Sequence, residues 1–165
     1  MILANAAELK QALKLFNNLY RKMDEIYHYL ARNFGLSDCA FWLLYSLRDT
    51  EGICRQKDIC GQWTLSKQTV NSALKRLESQ GLIILEPEAG NAKSKRILLT
   101  DKGDRFAEQH IDQVFELEQR VLHRMGEAAV EAMLDTNRCY LELFREEIHD
   151  RSGVDEKKQL PDNPR

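Results

Sequence analysis

Residues 66–83, SKQTVNSALKRLESQGLI, combine helical periodicity with an unusual set of polar side chains. Val70, Ala73, Leu74 and Leu77 recur at helical spacing, which predicts a helix that is buried on one side. Amides and hydroxyls can pair with base edges in a DNA major groove, and cations can hold phosphates. No acid occurs from residue 66 to residue 77, so the pattern favours a helix that approaches duplex DNA. The face of this helix opposite its apolar side, with its flanks, carries Gln68, Asn71, Ser72, Lys75, Arg76 and Ser79.

The start of this helix also suits an anionic partner. Ser66 is expected to cap it, and the unpaired amides and dipole of a helix N-terminus favour phosphate. The preceding KDICGQWTL (57–65) predicts a short supporting helix and a tight link, which together form a helix-turn-helix. The alternative is a solvated helix packed in an all-α core. The predicted DNA contacts are Ser66, Lys67, Gln68, Thr69, Asn71, Ser72, Lys75 and Arg76.

A strand-like segment follows the helix. LIILEPE (82–88) and SKRILLT (94–100) are aliphatic runs separated by the turn-forming AGNAK (89–93), and Pro87 marks the first as an edge strand. A basic hairpin after a helix-turn-helix predicts a winged helix, with the wing along the DNA backbone or in the minor groove. A basic surface turn without a ligand is the alternative. The predicted wing contacts are Lys93, Lys95 and Arg96.

Long helices with apolar periodicity flank this region. Gly126 is expected to separate the last two, and residues from Arg151 onward lack periodicity and predict a disordered tail. Apolar residues on more than one face of the terminal helices favour a partner, most simply a second copy, although an intramolecular bundle is an alternative. The other expected boundaries are a first helix over 5–33 stopped by Gly35, a second helix capped by Ser37 and ending near Gly52, and a fifth helix capped by Thr100.

Composition restricts the function classes. The chain has 165 residues and a formal net charge of −2, so a nucleic-acid surface must be a local patch. No apolar run reaches membrane-spanning length, and the N-terminus does not resemble a signal peptide. The 4 cysteines form no C-x-x-C pair, which favours a reducing cytoplasm. No nucleophile elbow, phosphate-binding glycine loop or cofactor signature occurs, so neither an enzyme nor a cofactor is expected.

The pattern Ser-x-x-Thr-Val-x-x-x-Leu-x-x-Leu-Glu-x-x-Gly-Leu-Ile over 66–83, followed by LLTDKG (98–103), resembles the MarR family of multiple-antibiotic-resistance-type transcriptional regulators. The resemblance extends from about Leu9 to Ile148. It implies a homodimer that places its recognition helices in successive major grooves of a pseudo-palindromic operator, commonly as a repressor. The wing departs from the family's Asp-x-Arg with Asn91 and Lys93, and Trp63 stands where a leucine is common.

We therefore expect a mainly α (α+β) fold with a winged helix-turn-helix flanked by dimerisation helices. The expected segments are 1–34 (dimerisation helix), 35–106 (DNA-binding domain with supporting helix 56–62, recognition helix 66–80 and wing 82–100), 107–149 (dimerisation helices) and 150–165 (tail).

The resemblance also implies that a small, often aromatic, ligand releases the protein from DNA. The candidate contacts for this ligand are aromatic residues at helical spacing, which are more often core residues, so their role is a hypothesis. Alternatives are a redox-responsive regulator using Cys39 or Cys54, a metal-responsive one using His28 or His110, and a winged-helix protein-interaction module without DNA binding. The candidate ligand contacts are Tyr20, Tyr27, His28, Trp42 and Tyr45.

Overall fold

The computed structural model describes residues 5–50, 53–55, 58–59, 61, 63, 65–88 and 91–152. It has the mainly α architecture with a small antiparallel sheet that the sequence predicts. Residues 58, 59 and 61 are also helical, and the rest of the predicted 56–62 helix lies outside the described residues. The elements are α1 (Ala6–Asn33), α2 (Asp38–Asp49), β1 (Ile53–Arg55), α3 (Lys67–Ser79), β2 (Ile83–Glu88), β3 (Asn91–Leu99), α4 (Asp101–Met125) and α5 (Glu127–Ser152).

The chain divides into two compact units, residues 1–111 and residues 112–165. The first unit contains α1, α2, α3, the sheet and the start of α4. The predicted assignment of segments to DNA binding and dimerisation stays a prediction. None of the helices that the structure describes is both long and apolar enough to cross a membrane.

The helix boundaries follow the capping residues. The side chain of Ser37 accepts a hydrogen bond from the backbone N–H of Ala40 at the start of α2, as predicted. Three glycines adopt the left-handed conformation that ends a helix, with φ of 71° at Gly35, 68° at Gly81 and 78° at Gly126. Helix α5 continues to Ser152, so the predicted tail is wrong for its first residues, and residues 153–165 lie outside the described part.

The core of the first unit lies between α2, α3 and the sheet. Helix α2 buries Phe41, Leu43, Leu44 and Leu47 completely. Full burial of side chains of this size stabilises the fold by about 1.5–3 kcal/mol each. The four apolar residues that the sequence placed inside α3 are buried, with exposures of 0–6%. Their burial fixes which face of α3 remains outward.

The sheet has the strand order β1-β3-β2, and both pairings are antiparallel. Strand β2 is an edge strand, as Pro87 predicted. Pairing runs regularly from Ile83 with Leu99 to Pro87 with Lys95, and then shifts so that Glu88 opposes Asn91. The predicted turn over 89–93 is too long, because β3 already begins at Asn91. The extra β3 residues are accommodated by the register shift.

Candidate nucleic-acid interface

The outward face of α3 carries the predicted DNA-reading side chains. Gln68, Asn71, Ser72, Lys75 and Arg76 are all exposed, whereas the four apolar residues between them are buried. No described residue forms an ion pair with Lys75 or Arg76. A face of amides, one hydroxyl and two cations can contact base edges and phosphates together.

Hydrogen bonds within α3 separate these polar groups into two kinds. The Ser66 hydroxyl accepts from the Thr69 backbone N–H at 3.1 Å and shares a hydrogen bond of 2.7 Å with the Thr69 hydroxyl. The Ser72 hydroxyl donates to the Gln68 carbonyl at 3.0 Å. These hydroxyls already serve the helix, which favours the exposed amide of Gln68 over them for reading bases. Lys67 is exposed in the first turn, where the helix dipole favours phosphate.

A cavity of about 220 Å³ lies between α3 and the wing. Two lysines, Lys75 from α3 and Lys95 from β3, line it together with Asn71 and the carboxylate of Glu78. Leu74, Leu85 and Ile97 provide its apolar walls. Lysines from two separate elements at one cavity suit an anionic oxygen group, such as a backbone phosphate. Glu78 adds an acid beside this site that the sequence analysis had not considered.

The wing places Lys95 and Arg96, two of its predicted basic residues, on different faces. Side chains alternate along a strand, and Lys95 and Ile97 both line the cavity, so Arg96 lies on the other face of the sheet. There it opposes Glu86 of β2 and Arg55 of β1. Asn91 and Lys93 belong to β3, but their side chains lie outside the described residues. Lys95 is therefore the wing cation that the structure places beside α3.

A compact junction joins the end of α3 to the start of α4. The Thr100 hydroxyl donates to the Gly81 carbonyl at 2.7 Å and accepts from the Gly103 N–H at 3.0 Å. Lys102 donates to the Gln80 carbonyl at 2.7 Å, so its ammonium serves the end of α3. A Cβ added at Gly103 would lie 1.8 Å from the carbonyl oxygen of Leu82. The Leu-Thr-x-x-Gly pattern is the sequence signal for this junction, which sets the base of the wing relative to α3.

Aromatic rings connect α1, α2 and the turn before α3. Trp42 stacks on Trp63 with ring centroids 4.0 Å apart, and Tyr27 and Tyr45 lie 4.8 Å and 5.4 Å from Trp42. The Trp63 indole N–H donates to the Ser46 hydroxyl at 2.6 Å. Three of the five candidate ligand contacts, Tyr27, Trp42 and Tyr45, are thus brought together. Trp63, which no local sequence pattern connects to Trp42, joins these rings as a fourth.

The other two candidate ligand contacts lie elsewhere on α1. Tyr20 packs on Phe16, one turn earlier in the same helix, at a centroid distance of 4.7 Å. His28 hydrogen-bonds through Nδ1 to both carboxylate oxygens of Asp38, at 2.8 Å and 3.0 Å. This contact ties α1 to the first turn of α2.

The cysteines and histidines provide little support for redox or metal sensing. Cys39 and Cys54 are buried, and burial with the nearby Asp58 carboxylate raises the pKa of Cys54 to about 12. A reactive thiol needs the opposite surroundings, exposed and electropositive. Cys60 lies outside the described residues. Burial lowers the pKa of His110, which packs on Phe34 and Phe106. The described residues contain no group of three or more His, Cys, Asp or Glu that could hold a metal ion.

A protein family and several solved structures are similar to this chain. Residues 34–94 match the model of the MarR family. The structure is similar to that of NMB1585, a MarR family regulator from Neisseria meningitidis, with a TM-score of 0.70 and 24% identity over 86% of this chain and 99% of that chain. No curated protein is a significant match to the sequence.

Two further structures were solved with DNA or concern a regulatory ligand. One is a putative MarR family transcriptional regulator from Listeria monocytogenes complexed with 26mer DNA (TM-score 0.63, 24% identity, 84% of this chain and 89% of that chain). The other concerns regulation of DNA binding of Bordetella bronchiseptica BpsR by 6-hydroxynicotinic acid (TM-score 0.58, 18% identity, 76% of this chain and 98% of that chain). The predicted resemblance to the MarR family is confirmed, and the fold is that of its winged-helix structures.

Proposed function

We propose that this chain, with the fold of the MarR transcriptional regulators, is a homodimeric sequence-specific DNA-binding regulator that represses transcription until a small ligand releases it. The observation that carries the proposal is the outward face of α3. This face is acid-free from residue 66 to residue 77 and is exposed, while its apolar counterpart is buried.

Base reading and phosphate binding fall to different side chains of this face. Gln68 and Asn71 present amides that can pair with adenine, the commonest role of these residues in a major groove. Lys67, Lys75 and Arg76 hold phosphates and set the register of the helix on the duplex. Lys95 joins Lys75 at the cavity between α3 and the wing, so one backbone phosphate is held from two directions. The Listeria monocytogenes structure with 26mer DNA supports DNA as the partner of this fold.

Exposed apolar residues support a second copy as the other partner. Along α1, large apolar side chains at helical spacing are about half exposed or more, with Leu19 at 66%. Contiguous apolar surface of this kind is uncommon on monomers and marks interfaces. In the second unit, Val121, Leu141 and Phe144 are exposed in the same way. A symmetric dimer would cover these faces and present α3 twice, so half-sites should lie about one helical turn apart.

The partly exposed rings of Tyr27, Trp42 and Tyr45 form the surface on which we place the releasing ligand. The centroids of Tyr27 and Tyr45 lie 4.8 Å and 5.4 Å from that of Trp42, and a cluster of three such rings suits a planar aromatic molecule. The regulation of BpsR by 6-hydroxynicotinic acid supports this class of ligand for this fold.

The decisive experiment selects bound duplexes from a random library and then measures affinity at several salt concentrations. Phosphate contacts release counterions, so affinity should fall steeply with salt. Gln68→Ala should change the selected sequence at a cost of about 1–3 kcal/mol. Lys75→Ala should weaken all duplexes alike and reduce the salt slope by about 1. Lys14→Ala, which removes an exposed lysine from α1, is the matched control and should leave both quantities unchanged.

Absence of binding to every duplex at low salt would show that the DNA proposal is wrong and would favour a protein-interaction module. Sedimentation equilibrium tests the dimer separately. Leu19→Glu should produce monomers because it puts a charge into the apolar face of α1, whereas Gln11→Glu, at an exposed polar position of the same helix, should remain dimeric.

A further inference from the structure

We infer that Trp63 is a positioning residue. Its indole fixes the start of the recognition helix α3 to α2, and its stack on Trp42 makes the DNA-reading face responsive to changes at the surface of α1 and α2. This inference rests on the proposed DNA-binding function and specifies how that function is regulated.

The first support is the place of Trp63 in the chain. It lies three residues before Ser66, the residue that caps α3. Its backbone N–H donates to the carbonyl of Ile59 at 3.1 Å, and Ile59 is buried. A shift of Trp63 therefore moves the residues from which α3 begins.

The second support is the directional contact with α2. The indole N–H donates to the hydroxyl of Ser46 at 2.6 Å, and Ser46 is 1% exposed. An apolar side chain could fill this space but could not make that bond. The hydrogen bond gives the indole one favoured orientation against α2, which apolar packing alone does not.

The third support is the continuity of the rings. Trp63 stacks on Trp42 at an interplanar angle of 24°, and Trp42 contacts Tyr27 of α1 at 4.8 Å. Tyr45 meets the edge of Trp63 at 6.0 Å and 89°. Because Trp42 touches both Tyr27 and Trp63, a molecule or movement that turns the Trp42 ring must also disturb Trp63. All four side chains are partly exposed, so this path starts at an accessible surface.

A change in the position of α3 should alter the preference for the selected duplex over other duplexes more than it alters the affinity for DNA in general. A misplaced α3 loses base contacts, whereas sequence-independent phosphate attraction depends on charges that the substitution leaves in place. If the well-positioned state falls to about a tenth of the population, affinity for the selected site falls about tenfold. A purely structural role would lower the folded fraction and so reduce binding to every duplex equally.

The test uses the full-length protein and the duplex that the parent selects, with an unrelated duplex of the same length as the comparison. Trp63→Leu should reduce affinity for the selected duplex about tenfold, with unchanged affinity for the unrelated duplex and an unchanged salt slope. Trp63→Phe keeps a ring and removes the N–H. It should partly restore the ratio of the affinity for the selected duplex to that for the unrelated duplex. Phe106→Leu removes a partly exposed ring that packs on His110 of α4, and it should leave unaltered the ratio of affinities for the selected and unrelated duplexes. Circular dichroism establishes that each variant is folded at the assay temperature.

A double-mutant cycle tests the link through Trp42. If the two indoles act as one unit, Trp42→Leu combined with Trp63→Leu should cost no more specificity than the worse single variant. Additive losses would overturn the coupling. Equal losses on both duplexes, or no loss from Trp63→Leu, would overturn the positioning role. If Trp63→Leu does not fold, Trp63→Phe tests the positioning role instead. A ratio of affinities for the selected and unrelated duplexes equal to that of the parent would then contradict the role of the hydrogen bond. A parent protein that binds no duplex would instead show that the proposed function is wrong.

Discussion

Replacing Gly103 by alanine should destabilise the protein through a backbone clash. The new Cβ would lie 1.8 Å from the Leu82 carbonyl oxygen and 2.8 Å from its carbon. Carbon–oxygen contacts normally exceed about 3.3 Å, so α4 and Leu82 must separate by roughly 1.5 Å. The Leu82 N–H donates to the Leu77 carbonyl and the Leu82 carbonyl accepts from the Thr100 N–H, at 3.0 Å and 3.1 Å. Neither backbone segment can move without losing a hydrogen bond.

The expected cost follows from these two effects. Overpacking costs about 1–3 kcal/mol and a lost hydrogen bond costs about 1 kcal/mol, which together give about 2–4 kcal/mol. For a chain of this length, the melting temperature should fall by roughly 4–16 °C. Thermal unfolding followed by circular dichroism measures this fall, with protein concentration held fixed because the proposed dimerisation would contribute to apparent stability.

Gly61→Ala is the matched control for this substitution. A Cβ at Gly61 meets nothing within 4 Å, and Gly61 is helical. The same chemical change should therefore be neutral or stabilising by up to about 1 kcal/mol. If Gly103→Ala melted at the temperature of the parent and of Gly61→Ala, the close approach at Leu82 would not restrict this position.

Four further predictions concern the same junction and the thiols. Thr100→Val removes the hydroxyl that bonds Gly81 and Gly103 and should cost about 1–2 kcal/mol in urea unfolding, whereas Thr100→Ser should retain most of the stability. Gly81→Ala should cost about 1–2 kcal/mol despite open space, because φ is 68°, and Gly81→Asn should cost less. At pH 8 the buried Cys54 should alkylate far more slowly than the exposed Cys139, as measured on peptides by mass spectrometry. The pKa of Cys54 rises from 9.0 to about 12, so its contribution to stability should be intact below pH 9 and decline as the pH rises toward 12.

Much of the helical architecture was predictable because its signals are local. Ser37 and Ser66 cap helices where the sequence placed them, and Gly35 and Gly81 end helices with positive φ. The short strand β1 was missed because Ile53–Arg55 has no alternating pattern of its own. It forms by pairing with β3, more than forty positions later in the chain. Local sequence does not encode such a pairing.

The candidate site was predictable to the extent that it lies on one helix. The buried and exposed faces of α3 follow from a period of 3.6 residues and agree with the structure. The wing was less predictable because neighbours in sequence alternate between faces of a strand. Lys95 and Arg96 looked like one basic cluster, yet only Lys95 lines the cavity beside Lys75. Contacts between elements, such as Trp42 with Trp63, have no local pattern at all.

The two ends of α3 are held by unrelated contacts, so each contact should control a different property of DNA binding. Trp63 fixes the start of α3 to α2, close to Gln68, which we propose reads bases, whereas Thr100 fixes the end through Gly81. Lys95 belongs to the wing, and the contacts of Thr100 set the position of the base of the wing. Loosening the start of α3 should therefore reduce specificity at a constant salt slope. Loosening its end should lose the phosphate contact that we propose for Lys95. In the same titration, Thr100→Val should lower the salt slope by about 1 with little change in the selected sequence, the reverse of Trp63→Leu. If both variants changed specificity and slope together, α3 would move as a rigid unit with the wing, and the two contacts would not act independently.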